Sequence, residues 1–113
     1  MTIKLKGPKT VFSQADVAAS TKSALIDCQN QTLVGFSVAV TDASSAEFTF
    51  TIEVAIGDPL VAANWVATTA TTDITADGVI ILSKDDVAER YARVSITRTA
   101  GTASLEIIAV SKG

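Results

Sequence analysis

Polar and apolar residues alternate with a period of two along much of the chain. Over residues 47–56, Phe48, Phe50, Ile52, Val54 and Ile56 share one parity, and Thr49, Thr51, Glu53 and Ala55 share the other. That pattern is too regular for a helix of period 3.6 and predicts a long strand with one face in a core. Residues 33–41 repeat it, with Val34, Phe36, Val38 and Val40 against Gly35, Ser37 and Ala39. Between the two runs, Asp42-Ala43-Ser44-Ser45-Ala46 has the chemistry of a turn, so together they predict a long antiparallel hairpin. Residues 91–98 alternate again, with Ala92, Val94 and Ile96 inward and Tyr91, Arg93, Ser95 and Thr97 outward. Thr99-Ala100-Gly101-Thr102 reads as a tight turn, and residues 103–110 return with Leu105, Ile107 and Ala109 on one face.

The remaining segments are shorter. Ala24, Ile26 and Cys28 share a parity and predict a strand. Gly57-Asp58-Pro59 stops the strand before it, because proline cannot donate to a ladder. A further strand opens at Asn64-Trp65-Val66, and Asp77-Gly78 marks a turn or bulge within residues 74–82. Val79-Ile80-Ile81-Leu82 is apolar throughout, which predicts cover on both faces. Residues 83–90 are the charge-dense part, with one helical turn at most. Seven or eight strands at regular spacing predict an all-β fold, an antiparallel β-sandwich or jelly-roll, with a barrel as the lesser alternative. Residues 1–20 stand apart: Lys4, Lys6 and Lys9 precede the first acid, and Val11-Phe12 is the main apolar pair. They read as an extended arm or an edge strand, ahead of a single domain over 21–113. Removing residues 1–12 is expected to leave a folded domain that no longer joins its assembly.

Composition changes this picture in one respect. At 113 residues the chain is one domain. Apolar residues make up 48% and charged residues only 19%, with a mean hydropathy of +0.38. Ile80, Leu82, Ile108 and Val110 are apolar at positions assigned to an outer face. Part of that surface is therefore expected to be buried against other subunits. The net charge of −3 and pI of about 4.7 argue against a basic nucleic-acid face. The longest apolar run is far short of a membrane span, and no apolar segment follows the basic N-terminus, so neither membrane nor secretory signal is expected.

Candidate chemistry is sparse. The chain has no histidine and a single cysteine, Cys28, read as a small buried hydrophobe. It carries no phosphate loop and no Gly-x-Gly-x-x-Gly. Asp73, Asp77, Asp85 and Asp86 match no calcium loop and are read as turn and cap residues. No enzyme, cofactor or metal is expected. Trp65 is read as a core anchor, with a ligand platform as the sharper alternative. Tyr91 and Arg93 share a strand face and could stack; Arg90, Arg93 and Arg98 are read first as solvated strand charges beside Glu89 and Glu106, with a small basic strip for an acidic partner as the sharper alternative.

The basic arm, the long hairpin, Asn64-Trp65, Tyr91-Ala92-Arg93-Val94 and the Thr99-Ala100-Gly101-Thr102 turn resemble small β-sandwich structural proteins of tailed bacteriophages. These are capsid decoration (cement) proteins and head-fibre or tail accessory subunits. The resemblance covers roughly residues 20–110. It implies a non-enzymatic virion component on the capsid surface, made in the host cytoplasm and bound to the major capsid protein or other virion subunits. It also implies a homo-oligomer, a trimer in the first instance. The candidate contact residues are Lys4, Lys6, Lys9, Phe12, Ile80, Leu82, Tyr91, Arg93, Ile108 and Val110. The alternative is a carbohydrate- or receptor-binding β-sandwich module that stacks its ligand on Trp65 or Tyr91.

Overall fold

The structure is a computed structural model that describes residues 2–4, 7–29, 31–85, 87 and 89–112. It is all-β. Among the described residues eight strands run β1 (Thr2–Lys4), β2 (Lys9–Val17), β3 (Thr21–Lys22), β4 (Leu25–Asp27), β5 (Leu33–Ala55), β6 (Val66–Ala70), β7 (Gly78–Asp85) and β8 (Tyr91–Lys112), with a 3-10 turn at Ala62–Asn64.

The two expected hairpins are not hairpins. β5 and β8 are each one continuous bent strand, and they pair with each other from Leu33↔Lys112 to Ala55↔Tyr91. This long ribbon folds over on itself near its middle. There Asp42, Ser45 and Gly101 take φ of 52°, 48° and 64°, and the register slips at Thr41/Ser44, Ser44/Glu47 and Glu47/Phe48. Bulges and left-handed residues bend a strand sharply; glycine adopts that conformation freely and aspartate more readily than most side chains. The residues that promised turns therefore make a corner instead. Asp77 secures it, with its Oδ1 accepting the Ala43 N–H at 2.9 Å.

The fold-over creates two layers. In the first, β2 pairs the C-terminal half of β8, which pairs the N-terminal half of β5, which pairs β7. In the second, β3 and β4 pair the N-terminal half of β8, which pairs the C-terminal half of β5, which pairs β6. β1 lies outside β4 in a short parallel pair. Two four-position layers whose central ribbon turns the corner between them form a jelly-roll order.

The core follows from the alternation. Val34, Phe36, Val38 and Val40 face Phe48, Phe50, Ile52 and Val54 of the same strand across the layers, joined by Ala92, Val94, Ile96, Leu105 and Ile107. Phe36, Phe48 and Phe50 are fully buried, and the Phe48 and Phe50 rings lie side by side with centroids 6.3 Å apart. Each such side chain contributes about 1.5–3 kcal/mol on burial. The N-terminal segment belongs to this body: Val11 and Val17 of β2 enter the core, so residues 1–12 include part of a ladder strand.

Candidate functional site

Apolar side chains remain uncovered in two places, the outer face of the first layer and the loop between β5 and β6 with Val66 beside it. Pairing of Val38 with Ile80 and of Phe36 with Leu82 turns Ile80 and Leu82 inward beside core residues. Leu82 is buried and Ile80 is packed against the core, so neither is an outer-face contact as the sequence reading had it. The outward positions of that run are Val79 and Ile81, 67% and 76% exposed. Row by row, Ile108 lies beside Ser37, and Ser37 beside Ile81. Val110, 40% exposed, lies beside Gly35, where an added Cβ would sit 3.2 Å from its Cγ2. Ile108 and Val110 thus do share the outer face, joined by Val79 and Ile81. Glu106 stands at its margin, paired across to Ala39.

The outer face of the second layer is built differently, from charges that satisfy one another. Glu53 Oε1 accepts hydrogen bonds from Arg93 Nε at 2.8 Å and Lys22 Nζ at 3.1 Å, and Lys22 also donates to Ser95 Oγ. Partial burial raises the Glu53 carboxyl, but the hydrogen bonds and charges of Arg93 and Lys22 more than offset it and hold its pKa below the usual range. The Arg93 guanidinium lies 3.9 Å from the Trp65 ring centroid, a close cation–π contact. Trp65 Nε1–H donates to the Pro59 carbonyl at 2.9 Å. Trp65 is thus a half-buried surface residue whose face is capped by Arg93, not a core anchor. Arg93 does not stack on Tyr91; that ring is approached by Arg90, 5.3 Å away. Arg90 also pairs with Asp27, and Arg98 Nε donates to the Gly101 carbonyl, so the three arginines are each engaged locally rather than forming a free basic strip.

Between β5 and β6 a loop carries Ile56, Leu60 and Val61 into solvent, Leu60 at 89% exposure. An open cleft of about 430 Å³ lies against it, lined by Val54, Ile56, Ala63, Asn64, Val66 and Glu89. Of the N-terminal candidates, Lys9 is exposed at the start of β2 and Phe12 is half-buried against the core. Lys6 and the Lys4 side chain lie outside the described residues.

Other titratable groups serve the fold. Cys28 is buried, and burial together with Asp27 and Glu89 pushes its thiol up to about 12. Asp73 accepts the Thr49 hydroxyl at 3.0 Å. A hydrogen bond with Asp73, and that residue's charge, raise Glu47 above the usual carboxylate range. Among the described residues no three His, Cys, Asp or Glu side chains converge as metal ligands, and no helix is long and apolar enough to cross a membrane. Asp86 lies outside the described residues.

The fold defines a jelly-roll β-sandwich whose distinguishing surface is an apolar sheet face. No protein-family model matches this chain, and no curated protein or solved structure gives a significant match to it.

Proposed function

We propose that this protein is a non-enzymatic structural subunit of a virion, of the capsid-decoration type, which binds neighbouring subunits of a capsid lattice. The observation that carries the assembly part is the uncovered Val79, Ile81 and Val110 on one sheet face. Their exposure costs solvation, and burial against a protein surface recovers it. The small-residue jelly-roll body and the resemblance of its Asn64-Trp65 and Tyr91-Ala92-Arg93-Val94 segments to phage decoration proteins support the virion part. The subunit would act by repeated weak contacts, with many copies on one lattice adding their affinities.

A glycan-binding module is favoured less. Sugars stack on open aromatic faces, and here the Trp65 face is taken by Arg93. The test is co-sedimentation of the purified protein with empty tailed-phage capsids that lack decoration subunits. Pelleting with the capsids is expected. A protein that stays in the supernatant, and whose Trp65 fluorescence instead responds to a glycan panel, refutes the proposal.

A further inference from the structure

Among the described residues the strands at the edges of the two layers are not alike. β2 carries register slips at Thr10/Phe12 and Gln14/Val17, β6 is a short strand whose pairing slips at Thr51/Glu53, and β1 has three residues. Bulges and brevity are the devices by which sheet edges are kept from pairing with other chains. β7 has neither. It is eight residues long and pairs with β5 from Val40↔Gly78 to Leu33↔Asp85 without a slip. Among the described residues it has no ladder partner on its other side. Residues 78–83 contain no proline and no charge. Val79 and Ile81 stand exposed along this same strand.

From this geometry we infer that β7 is a docking edge for a second copy of this chain, the two β7 strands pairing antiparallel about a two-fold axis. The inference rests on the assembly reading above and adds its contact. Charge and pattern select both the occupant and the register. A strand joining residues 78–83 must bring apolar side chains at alternate positions and no uncompensated charge, and β7 itself meets that description. A two-fold placed between residues sets an inward Ile80 against an outward Ile81, which breaks the face pattern. A two-fold on Ile81 sets Asp77 against Asp85 of the other copy, twice. On Val79 it sets Ile81 against Asp77. Centred on Ile80, the axis puts Val79 beside Ile81 of the second copy and Ile81 beside its Val79, with Asp77 opposite Ser83. Facing pairs across an antiparallel ladder lie about 4.5–5.5 Å apart at Cα, so each apolar side chain covers the flank of the other. The result is one eight-stranded outer layer with the row Ile108, Ser37, Ile81, then Val79 and Ala39 of the second copy. A two-fold edge contact is isologous and closes at two copies.

The test is native mass by light scattering over a concentration series, with cysteine cross-linking in the full chain carrying Cys28→Ser. Wild type is expected at twice the 11.7 kDa chain mass. Ile81→Lys, at an exposed position, is expected at the single-chain mass with an unchanged far-UV spectrum. The V79C/I81C double variant is expected to form an inter-chain disulfide on mild oxidation, and V79C or I81C alone is not. A wild type that is monomeric throughout overturns the inference, as does a trimer, an oligomer untouched by Ile81→Lys, or cross-linking by either single variant. These outcomes separate from the lattice test. A monomer that pellets with capsids leaves the decoration reading standing without the β7 contact, and a β7 dimer that ignores capsids does the reverse.

Discussion

Gly101→Ala is the sharpest test of the corner on which this architecture depends. Gly101 sits opposite Ser45 where the β5–β8 ribbon folds over, at φ +64°. A Cβ built there would lie 2.2 Å from the Ser45 carbonyl oxygen and 2.3 Å from that of Ser44. Both obstacles are backbone, and real Cβ atoms keep at least about 3.0 Å from such atoms, so one strand of the corner must retreat by roughly 0.8 Å. The left-handed conformation alone costs alanine about 1–2 kcal/mol. Forcing an extra carbon into a filled site costs typically about 1–3 kcal/mol more. The expected loss is therefore about 2–5 kcal/mol, a large part of the roughly 5–15 kcal/mol that holds a small domain together. With a urea m-value of about 1–3 kcal/mol/M, the midpoint falls by at least about 0.7 M.

Two comparators divide the cost. Gly7 also has positive φ, at +123°, but among the described residues nothing lies within 4 Å of its Cβ position, so Gly7→Ala carries conformational strain without collision. Gly101→Asn relieves part of the conformational strain, since asparagine tolerates the left-handed region, but keeps the collision. Urea unfolding followed by circular dichroism should rank Gly101→Ala and Gly101→Asn together, well below Gly7→Ala. If Gly101→Ala unfolds within about 1 kcal/mol of wild type, the corner is not packed as described. If asparagine restores stability, the collision argument fails and conformation alone explains the glycine.

Three further outcomes follow from the same geometry. Glu53 has its pKa lowered in the folded state, so its stabilisation is present above the unfolded carboxylate pKa of about 4.3 and is lost as pH falls through the lowered folded value; Glu53→Gln should lower the melting temperature at pH 7, by about 1 kcal/mol or less in stability, and converge with wild type in acid. Glu47 runs the other way: its raised pKa means stability is greatest when it is protonated and declines as pH rises through the folded value, so Glu47→Gln should raise the melting temperature slightly at pH 7 and leave it unchanged at pH 3. Deleting residues 1–12 removes Val11 from the core and several rungs of the β2 ladder, so the truncated chain should show a lower urea midpoint; an unchanged midpoint would restore the arm reading.

The strands were legible because one face of each is buried, and burial writes itself into the sequence as alternation. Their connection was not. Asp42-Ala43-Ser44-Ser45-Ala46 and Thr99-Ala100-Gly101-Thr102 have small, polar and glycine residues that suit a hairpin turn and a sharp bend equally. What separates the two is whether the flanking runs pair with each other or with a common partner. That partner is about 55 residues away in sequence, and local propensity carries no information about it. A trace of the bend is present in hindsight: inward residues move from even positions at Ala92, Val94 and Ile96 to odd positions at Ala103, Leu105 and Ile107, the mark of an inserted bulge residue.

The candidate surface divides along the same line. Ile108 and Val110 were readable as outward because Leu105, Ile107 and Ala109 fix the opposite parity. Val79-Ile80-Ile81-Leu82 has no polar residue to set its phase, so only its pairing with Phe36 and Val38 decides which two face water. Trp65 was misplaced for a related reason. Large aromatics are usually buried, and nothing in the local sequence announces that Arg93, from a strand paired to β5, will cover its ring. That cap has a consequence for the surface as a whole. The second layer spends its arginines, its glutamate and its tryptophan on one another, leaving little charge or open aromatic area for a partner to recognise. The first layer has spent nothing on its outer face, where Val79, Ile81, Ile108 and Val110 meet small neighbours. On the assembly reading proposed above, this face is where a partner would gain from burial, and among the described residues β7 bounds it as a long edge that no bulge interrupts.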